Sequence, residues 1–177
     1  MNVETPSALL PSEAPAGALV ERAIDRCARR RGEASESTLE RLRRGDPEAH
    51  SSFRYALAKE LGEYLGSLGV SFRALYIYGS AMGSAASSCS DIDILAVVER
   101  RRDEVMRLLL RIDLALAACY RELLQGIPTP ASLLDVHVMD AGEERERRGY
   151  GALLTGLGTC PVCLWRRSYE TAAASRS

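Results

Sequence analysis

The stretch that decides the fold is residues 74–98, ALYIYGSAMGSAASSCSDIDILAVV. Its two ends are short runs rich in aromatic and β-branched residues, which are typical of buried strands, and its middle is small and polar. The first run stops at Gly79-Ser80, and the second begins with Asp91 and Asp93. The sequence therefore predicts a strand, a loop and a second strand, with polar side chains at both ends of the loop.

Asp91 and Asp93 are two residues apart in a predicted strand, so both side chains point to the same face. Two carboxylates this close repel each other, and burying them is costly unless a cation compensates. Mg²⁺ is a hard cation that prefers oxygen ligands. We therefore expect a Mg²⁺ site here, with the alternating apolar residues pointing to a core on the other face: Ile92, Ile94 and Ala96.

A further carboxylate lies in the predicted strand at residues 133–139, LLDVHVM. Asp135 sits in the middle of this apolar run, where a charge needs a partner. If the strand lies beside the one that carries Asp93, Asp135 completes a cluster of three carboxylates. Asp140 is the rival third carboxylate. His137 shares the face of Asp135 and could touch an acceptor, although a lone histidine in a strand is more often structural.

The Gly79-Ser80 pair has the residue types of a phosphate cradle. Glycine lets the backbone approach a ligand closely, and the small residues that follow could open a helix whose free N–H groups, with the Ser80 hydroxyl, suit a phosphate. A phosphate cradle followed by carboxylates is what metal-assisted attack on a nucleotide phosphate requires.

Gly79-Ser80 is followed, after ten residues, by Asp91-x-Asp93. This spacing resembles the signature of the DNA polymerase β-like nucleotidyltransferase superfamily, and the chain is most similar to its minimal nucleotidyltransferases. The resemblance implies an α/β (α+β) fold with a small mixed sheet of the polymerase β palm type, flanked by helices. It also implies that Gly79 and Ser80 hold the triphosphate of a nucleotide such as ATP. Asp91, Asp93 and Asp135 would bind Mg²⁺ and carry catalysis.

The resemblance also bears on the acceptor of the nucleotide. Small-molecule modifiers in this superfamily, such as aminoglycoside nucleotidyltransferases, add a helical domain after the core, whereas 37 residues follow Asp140 here. The resemblance therefore implies a macromolecular acceptor, a HEPN-type partner toxin that receives AMP on a tyrosine in a toxin–antitoxin arrangement. A small-molecule modifier is an alternative, with its acceptor pocket built from the N-terminal helices or a second subunit. A catalytically silent binding protein is another, because family members often carry Arg near the Gly-Ser pair and this chain has Ala81, Gly83 and Ser84 there.

The remaining elements follow from hydrophobic periodicity and from Gly and Pro positions. They give the order α-α-β-loop-β-α-β-α-β, with helices at 17–31, 46–69, 102–125 and 142–154, and strands at 74–78, 91–98, 133–139 and 161–166. The predicted division is a mobile tail at 1–16, an N-terminal helical extension at 17–70, a nucleotidyltransferase core at 71–167 and a mobile tail at 168–177.

Composition excludes several classes of protein. The 23 basic and 24 acidic residues nearly cancel, which disfavours a protein that coats nucleic acid. No apolar run approaches the ~20 residues of a membrane span, and no basic segment precedes the first apolar stretch as in a signal peptide. Five cysteines, an odd number, indicate reduced thiols in the cytoplasm. The Cys160-x-x-Cys163 pair is interpreted as two packed strand cysteines, and a homo-oligomer is left open.

Overall fold

A computed structural model of the chain describes residues 15–68, 71–156 and 160–168. These residues form five α-helices, four strands and two 3-10 segments. The helices are α1 (Ala16–Arg31), α2 (Ser35–Arg43), α3 (Pro47–Ser67), α4 (Asp103–Leu124) and α5 (Ala141–Glu146). The strands are β1 (Phe72–Tyr78), β2 (Ile92–Val98), β3 (Leu134–Asp140) and β4 (Val162–Arg166), and the 3-10 segments are Gly79–Met82 and Gly149–Thr155.

The four strands form one mixed sheet in the order β3-β2-β1-β4. Strand β1 pairs antiparallel with both β2 and β4, whereas β2 and β3 are parallel and are connected through α4. A mixed sheet flanked by helices, with a helical segment before it, confirms the predicted fold class.

One face of the sheet packs against the helices and forms the main core. Alternate residues of β1 and β2 join buried residues of α1, α3 and α4 in this core, among them Leu75, Ile77, Ile92, Ile94 and Ala96. The intervening positions form a smaller cluster on the opposite face, which includes Tyr76, Leu95, Val97 and Met139. The predicted alternation along β2 is therefore confirmed, and Asp93 belongs to the face away from the main core.

The N-terminal part contains three helices, so the prediction of two was wrong. Helix α2 occupies residues that the sequence left between two helices. Of its nine residues only Thr38 and Leu42 are buried, so it presents too few apolar residues to show a helical stripe. The third helix begins as predicted, because Asp46 accepts hydrogen bonds from the N–H groups of Glu48 and Ala49.

The single helix predicted at 142–154 is also wrong. Helix α5 ends at Glu146, and a 3-10 segment follows from Gly149. Arg147 and Gly149 adopt positive φ angles of 54° and 53°, which a continuous right-handed helix does not allow. The chain therefore turns back between the two short segments.

Two further predictions concern the surface and the ends of the chain. Cys160 and Cys163 are both exposed, and Cys160 precedes β4, so the interpretation as packed strand cysteines was wrong. Almost all residues of the two predicted tails, 1–16 and 168–177, lie outside the described part of the chain, as does the predicted helix end at Gly69. The four-part division therefore stays a prediction. None of the described helices has the length and apolar character needed to cross a membrane.

Candidate active site

The candidate site lies on the face of the sheet opposite the main core. Asp93 of β2 and Asp135 of β3 are direct partners in the parallel register. Tyr78, the last residue of β1, is the partner of Asp93 on its other side. The three side chains therefore form a row across adjacent strands, because partner residues in a sheet point to the same face.

Gly79 makes a close approach to this row. Its φ of +70° lies in the left-handed region, and a Cβ added there would lie 2.7 Å from Cγ of Asp93 and closer still to Oδ2. Any side chain at this position would therefore displace the carboxylate of Asp93. The 3-10 turn that begins at Gly79 thus starts directly against Asp93. Ser80 belongs to the turn by its backbone, and its side chain lies outside the described part of the chain.

The predicted carboxylates differ in exposure. Asp91 is exposed just before β2, Asp93 is half-buried, and the side chain of Asp135 is 49% exposed. Burial raises the pKa of the Tyr78 hydroxyl to about 12, with the negative charges of Asp93, Asp135 and Asp91 acting in the same direction. All three carboxylates are therefore close enough to the hydroxyl of Tyr78 to raise its pKa.

His137 extends this group on β3. Its Nδ1 lies 3.6 Å from Oδ1 of Asp135 and 3.4 Å from the hydroxyl of Tyr78. The ring packs edge-on against Tyr150, with 4.3 Å between the ring centres. His137 therefore lies on the face of Asp135, as the alternation along the strand predicts.

Asp140 has a different role in the structure. Its Oδ1 accepts hydrogen bonds from the N–H groups of Gly142 and Glu143 and caps α5. It pairs with Val98 at the far end of β2, five positions along β3 from Asp135. An odd separation in a strand places the two side chains on opposite faces. The position next to Asp93 thus belongs to Asp135.

The loop before Asp91 is fixed by a buried arginine that the sequence analysis missed. Arg54 of α3 is fully buried and donates from Nε and Nη2 to the carbonyl of Ser90, at 3.1 and 2.6 Å. Its Nη2 also donates to the carbonyl of Ser88 at 3.4 Å. An arginine beside the apolar stripe of a helix is normally a solvent-facing residue, so the sequence carries no signal for this role.

His50 and Tyr120 complete the surroundings of Arg54. Nδ1 of His50 lies 3.0 Å from the Tyr120 hydroxyl and 3.3 Å from Nη1 of Arg54. Burial, and then the charge of Arg54, lowers the pKa of His50 to about 4. Because the arginine can only donate, Nδ1 is the acceptor and the ring is neutral at pH 7. The acceptors of Arg54 in the part of the chain that the structure describes are thus all neutral.

A second buried group fixes the start of β3. Asp113 of α4 accepts hydrogen bonds at Oδ1 from the N–H groups of Leu133 and Leu134, each at 2.8 Å. Its Oδ2 accepts from the Ser132 hydroxyl at 2.7 Å. These bonds tie α4 to the residues just before Asp135. Asp113 and Arg54 thereby anchor the two segments that carry the candidate carboxylates.

The donor set fits a hard divalent cation such as Mg²⁺. Asp91, Asp93 and Asp135 supply only oxygen atoms, and facing strands lie about 4.8 Å apart. Within residues 15–68, 71–156 and 160–168, no three His, Cys, Asp or Glu side chains are arranged to hold a metal ion as they stand. The half-exposed Asp135 contacts His137 instead.

No protein-family model, curated protein or solved structure matches the chain.

Proposed function

We propose that the chain is a Mg²⁺-dependent nucleotidyltransferase that moves a nucleoside monophosphate, AMP from ATP, to an acceptor hydroxyl. The observation that carries the proposal is the register of β2 and β3, which makes Asp93 and Asp135 direct neighbours while Gly79 lies against Asp93. The resemblance of the Gly79-Ser80 and Asp91-x-Asp93 spacing to DNA polymerase β-like nucleotidyltransferases supports the same function.

The proposed reaction is an in-line displacement at the α-phosphate. The acceptor oxygen forms a bond to the α-phosphorus, the bond to the bridging oxygen of the β-phosphate breaks, and pyrophosphate leaves. The acceptor proton passes to the carboxylate of Asp135, whose 49% exposure lets an acceptor reach it from solvent. When bound to Asp91, Asp93 and Asp135, Mg²⁺ supplies neutralisation of charge on the phosphate oxygens.

Gly79 and Ser80 hold the triphosphate in this proposal. The absence of a side chain at Gly79 lets the phosphates approach the backbone beside Asp93. The acceptor implied by the resemblance is a tyrosine of a HEPN-type partner toxin, and the exposed edge of Asp135 suits an acceptor carried on another protein.

The test compares the fate of two labels. ATP labelled at the α-phosphate or at the γ-phosphate is incubated with the protein, Mg²⁺ and a cell extract. Transfer of the α-label alone is expected, with a loss of about a hundredfold or more in Asp93→Asn. The matched control is Glu21→Gln, which removes an exposed charge from the middle of α1.

Three results contradict the proposal: transfer of the γ-label, equal transfer by Asp93→Asn, or no transfer from any of the four nucleotides. The chemical nature of the labelled product then identifies the acceptor as protein, nucleic acid or small molecule.

A further inference from the structure

A groove runs between the two long N-terminal helices and ends near the loop of the candidate site. It consists of two adjoining cavities of about 450 and 330 Å³. The smaller cavity reaches Met82, Gly83 and Ser84. We call the whole depression the α1–α3 groove, and its two cavities share four lining residues: Arg30, Glu48, Ser52 and Tyr55.

The larger cavity of the α1–α3 groove has a strongly basic lining. Arg26, Arg30, Arg31 and Lys59 line it, against the single acidic residue Glu48. Like charges around one cavity repel each other, and an anion inside it relieves that repulsion. The lining alone thus favours a negatively charged occupant.

Two of the four cations already have carboxylate partners. Arg26 donates from Nε to Glu60 at 2.7 Å and from Nη2 to Glu63 at 3.2 Å. Arg31 pairs with Glu48, which raises the pKa of Arg31 and lowers that of Glu48. Two lining cations remain outside these ion pairs, Arg30 and Lys59.

Arg30 and Lys59 have no ion pair with any residue that the structure describes. The position of Arg30 in the last turn of α1 gives it a favourable interaction with the helix dipole. Lys59 has no such role, because it lies within α3. It is also the only lysine among the 23 basic residues of the chain, and it is partly buried.

The other residues that line the larger cavity are neutral. Cys27 is buried, and burial raises the pKa of its thiol to about 11, so it adds no negative charge at pH 7. Ser52, Tyr55 and Ala56 complete the neutral part of the lining. A cavity of about 450 Å³ with this lining has the size of a small-ligand pocket.

We propose that the α1–α3 groove binds a phosphate-bearing ligand other than the nucleotide at the candidate active site. A phosphate dianion matches the two unpaired cations in charge. The planar guanidinium of Arg30 suits two phosphate oxygens, and Lys59 acts as a point charge. The larger cavity, which Arg30 and Lys59 line, is built by α1 and α3 alone, and the proposal stands whether or not the proposed transferase activity does.

The single lysine gives a direct test, because acylation of its ε-amine reports on one place in the folded chain. The full-length protein is treated with an amine-reactive ester in EDTA, with and without inorganic pyrophosphate, and modification of Lys59 is measured by peptide mass spectrometry. Saturating pyrophosphate is expected to slow acylation about tenfold, whereas KCl of equal ionic strength has little effect.

Variants then locate the protecting site. Arg30→Gln is expected to abolish protection of Lys59, and Arg29→Gln, an exposed neighbour that does not line the groove, to retain it. The proposal is overturned by an absence of protection or by equal protection in Arg30→Gln.

Discussion

The carboxylate of Asp93 rests against the backbone of Gly79, where an added Cβ would lie 2.7 Å from its Cγ. This contact joins the end of β1 to the start of β2, the two places where the sequence concentrates its polar residues. The loop of residues 80–91 therefore begins and ends beside this contact. A change at Gly79 therefore acts directly on a candidate metal ligand.

Gly79→Ala is expected to disable the site as well as to strain the backbone. Placing alanine at a positive φ costs about 1–2 kcal/mol, and the new Cβ must also displace Asp93. Gly45→Ala is the matched control, because Gly45 has a φ of +74° with nothing within 4 Å of an added Cβ. Thermal unfolding and label transfer are measured for both. A similar loss of transfer in the two variants would count against a specific role for Gly79.

Arg54→Met is expected to release the loop that carries Asp91. The carbonyls of Ser88 and Ser90 lose their donor, at a cost of about 1–3 kcal/mol in the free energy of unfolding. Hydrogen exchange should rise in residues 83–91 more than elsewhere. Arg43→Met serves as the control, since Arg43 donates to a single carbonyl, that of Leu123, away from the site. Unchanged exchange in the loop would contradict the anchoring role of Arg54.

Acid is expected to destabilise the protein through His50. Its pKa is lowered to about 4 in the folded chain, so the unfolded chain binds its proton first as the pH falls below about 6.5. The contribution of His50 to the free energy of unfolding is therefore fully present above about pH 6.5. It is lost as the pH falls, by about 2 kcal/mol between pH 7 and pH 5.

Urea unfolding at a series of pH values measures this dependence. His50→Gln should lose most of the fall between pH 7 and pH 5. His137→Gln, which changes the other of the two histidines, should keep it. An equal pH dependence in His50→Gln and the unaltered protein would show that another group is responsible.

The sequence was sufficient to predict the four strands and their order along the chain. Apolar runs bounded by Gly79 and by the carboxylates marked β1, β2 and β3, and the alternation along β2 placed Asp93 away from the core. The prediction that Asp135 joins Asp93 depended on their two strands being neighbours in the sheet. Strands β2 and β3 do pair, and their parallel register makes Asp93 and Asp135 direct partners.

What the sequence could not show were features that depend on tertiary packing. Helix α2 has too few apolar residues to be recognised, and it is held by the burial of Leu42 and Thr38. The burial of Arg54 and His50 is likewise invisible, because their partners are backbone carbonyls and a tyrosine far along the chain. Local sequence patterns do not contain such long-range contacts.

Cation binding tests most directly the claim that adjacent strands build one metal site. Mn²⁺ is used as a paramagnetic substitute for Mg²⁺, and its affinity is measured by electron paramagnetic resonance in the presence of ATP. Asp93→Asn and Asp135→Asn should each weaken binding about tenfold or more. Asp140→Asn, which keeps a good helix cap while removing a charge, should bind Mn²⁺ as the unaltered protein does. Equal affinity in Asp135→Asn, or a loss confined to Asp140→Asn, would show that Asp135 is not a ligand of the metal.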